Sequence, residues 1–170
     1  MPELTTNKNF LSPLSFQFSI SKTPNVNFFV TACTTPSVNL GVVEVANPFS
    51  RLRVPGDKID FGDFSVTFKV DGDMRNYEEI LEWMFGLGFP NEYAQYRALN
   101  QKEALKEGKY SDATLTILTS SKNPNKSFVF TDAFPYAISD IRMASNSSDV
   151  EYVECEVSFK YTTFSIKDVE

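Results

Sequence analysis

Residues 64–86 change hydrophobic period partway along, and few folds accommodate that change. Phe64, Val66, Phe68 and Val70 alternate with Ser65, Thr67 and Lys69, the two-residue period of a strand with one buried face. Beyond it Met74, Tyr77, Ile80, Leu81 and Met84 recur at three- and four-residue spacing, which predicts a helix over Met74–Gly86 with one apolar side. Asp73 stands where an N-cap acceptor belongs, and Glu78 and Glu79 lie toward the helix start, where negative charge is favoured. Tyr77 and Trp83 lie on or beside the apolar stripe and are candidates for the core. Pro55-Gly56-Asp57 and the residues up to Asp63 read as the turn before the strand, and Gly86-Leu87-Gly88-Phe89-Pro90 as the helix stop.

The rest of the chain reads as antiparallel β-structure that this helix can cover. Leu14–Ile20 alternates cleanly, Lys22-Thr23-Pro24-Asn25 supplies a turn, and Asn27–Thr34 reads as a returning strand, so 14–34 is predicted as a hairpin. Val38–Val45 is a further strand, ended by Asn47-Pro48. Phe49–Val54 is a short one whose Arg51 and Arg53 point to one side, either as a solvated face or toward acidic groups of a partner. Asp112–Ser120 and Ser127–Thr131 flank strong turn chemistry at Lys122-Asn123-Pro124-Asn125 and predict a hairpin. Phe134-Pro135 reads as a break before a short strand at Ile138–Met143. The last strand, Val150–Ile166, places Val153, Cys155, Val157, Phe159 and Tyr161 on one face, with Glu154, Glu156, Ser158 and Lys160 on the other. Its wet face either meets bulk water or lines an aqueous cavity built by several subunits, and an edge of that length invites pairing with another chain.

A length of 170 residues is enough for one domain with a full core. The sequence divides into a polar arm at 1–13, a single β-domain at 14–166 and a tail at 167–170. An exposed excursion at 91–109 is anchored by Tyr93 and Tyr96 and is long enough to carry function. The predicted class is mainly β with one α-helix: an antiparallel sandwich or curled barrel flanked by that helix.

Charge and residue usage then exclude functions. A formal net charge of −6 opposes gripping nucleic acid through phosphates. The chain contains no His, so acid–base catalysis at neutral pH and most catalytic zinc sites lose their commonest residue. Asp71-Gly72-Asp73 opens like a calcium loop, but Arg75 stands at the third ligand position, so capping the helix is the better account. Asp57, Asp60 and Asp63 can in principle pair as hydrolase carboxylates, although turn and strand-end roles fit them better. The expectation is no enzyme, no cofactor and no metal site. Cys33 and Cys155 lie in strand-like runs and are expected as buried free thiols. The start lacks a basic region followed by an apolar core, and no apolar run approaches a membrane span, which predicts synthesis in a cytoplasm and no membrane segment. A carbohydrate-binding sandwich remains a rival, yet it calls for exposed aromatic platforms, and the only Trp lies beside the helix's apolar stripe.

Pro55-Gly56-Asp57, Phe64 through Asp71 and Tyr77 through Trp83-Met84 resemble the core of the tail tube superfamily of contractile-tailed phages. That superfamily includes tail tube proteins, tube-initiating rings and tail-completion or terminator rings. The resemblance continues through Thr114–Leu118, Phe134-Pro135, Ile138–Ile141 and the final strand to Tyr161. It implies a structural virion protein of the phage tail, a hexameric ring whose inner strands join around a DNA conduit. It also implies that Glu154 and Glu156 face the lumen, where DNA slides without specific binding. Arg51, Arg53, Tyr93 and Tyr96 become candidates for inter-subunit contact. The implied partners are further copies of the chain and the tail sheath, baseplate or neck proteins. A specialised end ring is the alternative within the same family.

Overall fold

The computed structural model of the protein describes residues 10–11, 14–88, 93–94, 96–97, 108–143 and 152–169. Most of the 1–13 arm and of the 91–109 excursion, and the expected strand start at Val150, lie outside the described residues.

The strands are β1 (Phe16–Ile20), β2 (Val30–Thr34), β3 (Val38–Ala46), β4 (Arg51–Phe61), β5 (Phe64–Lys69), β6 (Ser111–Leu118), β7 (Pro124–Ile138), β8 (Glu154–Lys160) and β9 (Thr163–Asp168), with helices α1 (Pro24–Phe28) and α2 (Arg75–Gly88). All pairings are antiparallel. The main path runs β1-β6-β7-β8-β5-β2, β9 also pairs with β7, and among the described residues β3 pairs only with β4. The path does not close into a barrel, because β1 and β2 end it as edges.

Two strands carry the chain from one half of this path to the other. The first part of β7 pairs with β6 and β9, from Lys126↔Asp168 to Thr131↔Thr163 on the β9 side. Its last part pairs with β8, from Phe134↔Lys160 to Ile138↔Val157. Between them Asp132 adopts φ 56, and β8 gives way to β9 at Tyr161-Thr162, where the Thr162 N–H donates to the Thr131 carbonyl at 3.0 Å. Both strands turn at one level, which folds the path into two facing halves.

The core fills the space between those halves. Phe18 and Ile20 of β1, Ala113 and Leu115 of β6 and Phe130 of β7 meet Phe64, Val66 and Phe68 of β5 and Cys155, Val157 and Phe159 of β8 in one buried cluster. Phe64 stacks on Phe130 at 4.4 Å between centroids and lies 5.7 Å from Phe18, so the contact is between halves rather than along one sheet. Helix α2 buries Ile80 and Trp83 in the same cluster, and the Trp83 ring approaches Phe159 at 6.4 Å. The indole N–H donates to the Lys109 carbonyl at 2.9 Å, which satisfies the one polar atom that a buried Trp carries. Tyr77 packs against this core, partly buried.

At the start of α2 the Glu78 N–H donates to the Met74 carbonyl at 2.9 Å, and Met74 has φ 57. Asn76 is buried there. Its side chain donates to the Lys69 carbonyl at 2.8 Å and accepts from the Asp71 N–H at 3.2 Å, tying the helix to the end of β5. The Asp73 carboxylate lies 3.7 Å from the Arg75 guanidinium.

The fold differs from the sequence expectations in particular places. Residues 14–34 are not a hairpin: Pro24 opens α1, and β1 and β2 end up at opposite edges of the path. Proline at a first helical position lacks only an N–H that would be unpaired anyway, so Thr23-Pro24 starts a helix as readily as a turn. Asn27 then takes the place of a strand partner, exchanging bonds of 2.9 Å with the Ile20 N–H and carbonyl. Pro55-Gly56-Asp57 is no turn but the middle of β4, which absorbs the short strand expected at Phe49–Val54. A two-stranded ribbon has no third strand to require the missing proline N–H. Pro135 likewise does not break β7, which runs to Ile138 with a register shift between Pro135 and Ala137, so Ile138–Met143 is not a separate strand. The expected single last strand is divided between β8 and β9 at the corner.

Candidate assembly surface

The alternating apolar residues of β3 and of the two ends of β4 build a ribbon in which Val38 pairs with Phe61 at the root and Ala46 with Arg51 at the tip. The register shifts between Leu40 and Val42, where a Cβ on Gly56 would lie 2.7 Å from the Gly41 carbonyl oxygen, so the two backbones meet more closely than side chains allow. From that register Val43, Val45, Leu52 and Val54 share one face of the outer half, while Val38, Leu40, Ile59 and Phe61 share one face of the root half. All of these except Phe61 are exposed, and Phe49 at the tip is 96% exposed. The opposite face of the outer half carries Glu44 with Arg51 and Arg53 at 3.5 and 3.6 Å. The two arginines expected to meet a partner are thus already paired within the ribbon, on exposed side chains where such pairs contribute little. An exposed apolar row of this kind is characteristic of interaction surfaces.

The ribbon joins the body through residues 35–37 and Gly62-Asp63. The Gly62 N–H donates to the Ser37 carbonyl at 2.8 Å, and the Tyr161 hydroxyl donates to the Gly62 carbonyl at 3.0 Å. A Cβ on Gly62 would come within 2.4 Å of the Ser37 hydroxyl oxygen, which can rotate aside, and within 3.1 and 3.2 Å of the Ser37 backbone N and O, a crowding that favours glycine there. The Asp63 carboxylate accepts from both the Tyr136 hydroxyl and the Lys160 ammonium, and Lys160 also sits over the Tyr136 ring at 5.2 Å. Phe61 packs against Tyr161 and Phe164, with centroids at 6.1 and 5.6 Å. Asp57 and Asp60 stay exposed on the ribbon, and the Asp63 carboxylate is taken up by Tyr136 and Lys160.

On the outward side of β8, Glu154 and Glu156 are exposed and lie opposite Lys69 and Thr67 of β5. Lys69 is also placed over the Tyr152 ring at 4.1 Å. Tyr93 and Tyr96 stand 5.7 Å apart, Lys109 approaches the Tyr96 ring at 4.6 Å, and Tyr93 is exposed. Trp83 is buried, which leaves a carbohydrate-binding reading without its indole platform. Cys33 and Cys155 are free thiols; burial pushes the Cys33 thiol up to about 12 and raises that of Cys155. Among the described residues no group of Cys, Asp and Glu is placed to hold a metal ion, and no helix is long and apolar enough to cross a membrane.

Sequence reasoning singled out Glu154, Glu156, Arg51, Arg53 and the tyrosines but missed the root cluster. Asp63, Tyr136 and Lys160 are separated by 73 and 97 residues, and no local periodicity reports such a meeting.

The fold is shared with tubes of contractile injection systems. The chain is similar to a chain of the sheath–tube complex of an extracellular contractile injection system in its extended state, at 11% identity over 98% of this chain and 100% of that one, with a TM-score of 0.64. It is similar to a sheath/tube terminator of such a system at 12% identity over 95% and 99%, again at 0.64. The tube-terminating cap of the anti-feeding prophage gives 0.62 at 11% identity over 98% and 97%. No curated protein sequence matches the chain. The sequence pattern of the phage tail tube protein family, whose members are structural proteins rather than enzymes, matches residues 3–167. With that match over nearly its whole length, the chain belongs to the phage tail tube protein family.

Proposed function

We propose that the protein is a ring-forming subunit of a phage tail tube, six copies closing around a central conduit and successive rings stacking through the β3–β4 ribbon. The observation that carries the reading is the ribbon itself. It stands apart from the body's sheet path, pairs with no third strand among the described residues and exposes an apolar row that a second copy of the chain can bury. Each half-exposed Val, Leu or Ile so covered contributes on the order of 1 kcal/mol, and the row is repeated in every subunit of a ring. The outer edges of β1, capped by Asn27 only at Ile20, and of β2, which pair with no further strand among the described residues, supply a second kind of contact, since strand pairing between neighbours removes edges that a monomer must otherwise protect.

In this arrangement Glu154 and Glu156 face the conduit, where carboxylates keep DNA from adhering, and Tyr93 and Tyr96 face neighbouring rings or the sheath. The sheath, baseplate and neck proteins are the outer partners, and the mature location is the virion tail after synthesis in the host cytoplasm. A specialised ring at one end of the tube is the second reading. It is favoured by terminator and cap chains matching the fold as well as a tube chain does.

Negative-stain microscopy and sedimentation of the purified protein separate the outcomes. Stacked six-membered rings support an ordinary tube subunit, and single rings that refuse to stack support an end ring. A monomer persisting at high concentration would overturn both.

A further inference from the structure

We propose that Asp63, Tyr136 and Lys160 form a clamp that sets the angle at which the β3–β4 ribbon leaves the body, and so determines whether the ribbon can reach its partner. The inference rests on the stacking role proposed above and adds to it the part of the molecule that aims the ribbon.

The ribbon prolongs the β2–β5 ladder, which ends at Thr34↔Ser65, beyond the sandwich, and only residues 35–37 and Gly62-Asp63 join the two. Two short links with no flanking strand form a hinge unless something holds them to the body. The hydrogen bonds from Gly62 and Asp63 to the body fall on Tyr136 of β7, Lys160 of β8 and Tyr161 at the β8–β9 corner, and beyond Phe61 only the charge of Asp60 acts on this set. They therefore fix the root while leaving the outer residues free to contact another chain. Asp63 is the centre of this set, because its carboxylate is held from two body strands at once, by Tyr136 of β7 and Lys160 of β8. A second strand's worth of restraint removes the rotation that one bond would permit, and charge-assisted bonds are the stronger kind available to exposed side chains. The clamp is peripheral to the core cluster: Phe64, next in sequence, is fully buried, whereas Asp63, Tyr136 and Lys160 are not. Loosening the clamp should thus change aim without unmaking the fold. In a ring each misaimed ribbon weakens the contact with its neighbour, so the loss is expressed in association.

The test compares Asp63→Ala, Tyr136→Phe and Lys160→Arg with the unaltered protein, reading both the association constant by sedimentation and the melting temperature of the dissociated subunit. Asp63→Ala is expected to weaken association about tenfold or more while the subunit melts within a few degrees of the original. Tyr136→Phe, which removes only the hydroxyl, should give a smaller loss, and Lys160→Arg should retain association. Unchanged association in Asp63→Ala would overturn the clamp, as would a loss accompanied by an equivalent fall in melting temperature. Should Asp63→Ala fail to fold, Tyr136→Phe decides alone by the same two readings. The double substitution Val43→Ser with Val45→Ser identifies which inference fails. If it leaves association intact, the ribbon is not the contact and both fall; if it abolishes association while Asp63→Ala and Tyr136→Phe do not, only the clamp falls.

Discussion

Lys160 first, and Tyr136 after it, hold the Asp63 carboxyl below the ordinary carboxylate value of 3.8 by bonding to its charged form. In return, the bond to Asp63 raises Lys160 above 10.5 and Tyr136 above 10.0, with Asp60 adding a smaller upward push on Lys160. A carboxyl with a lowered folded value contributes stability that is complete above 3.8 and is lost as pH falls through that lowered value. An ammonium with a raised folded value contributes stability present below 10.5 and lost as pH rises through the raised value. The root is therefore expected to be insensitive to pH across the neutral range and to loosen only at the acid and alkaline ends. Amide hydrogen exchange at Gly62 and Asp63, followed against pH in the original and in Asp63→Asn, checks this. Protection that falls steadily between pH 5 and 8, or an equal acid response in Asp63→Asn, would show that another group controls the root.

At the scale of elements, periodicity was readable wherever a side chain's environment repeats along the chain, and unreadable where it depends on a distant partner. The alternation of β5 is seen in its burial, with Phe64, Val66 and Phe68 inside and Ser65, Thr67 and Lys69 less so. Helix α2 buries Ile80 as its spacing predicts, but its buried face also takes in Asn76 and Trp83 beside the predicted stripe, whose Met74, Tyr77, Leu81 and Met84 are only partly buried. Proline misled the reading at Pro24, Pro55 and Pro135 for a common reason. What it costs depends on whether its missing N–H was needed, and that is decided by helix position, by a bulge or by the absence of a third strand. The ribbon's exposure was also hidden, since a run such as Val42-Val43 looks the same whether its own core or another subunit covers it. Of the candidate surface, the charged residues were legible and the apolar row was not. Truncating the helix's anchor tests the packing account: Trp83→Ala should cost about 3–5 kcal/mol in chemical denaturation, from the cavity and the orphaned Lys109 carbonyl together. A cost below about 1 kcal/mol would mean that α2 does not depend on this indole for its place.

For the whole molecule, the proposed ring makes the charge on the outward face of β8 the property to test. Lys160 is engaged by Asp63, so Lys69 remains against Glu154 and Glu156 and the face leans negative. Changing both glutamates to Lys reverses that sign at positions that are exposed and outside the core cluster. Rings are expected to form as before, while DNA release from assembled particles slows and becomes more dependent on salt. Delivery at the original rate and salt dependence would remove the two residues from the conduit. The corner where β7 bends beside the passage from β8 to β9 bears on a different property of such an assembly. Two covalent strands, bonded to each other at the bend, run from one half of the sandwich into the other, so a load applied to one half is borne by backbone rather than by side-chain contacts alone. The body is then stiff against such a load, and the clamp at Asp63 carries that stiffness on to the root of the ribbon.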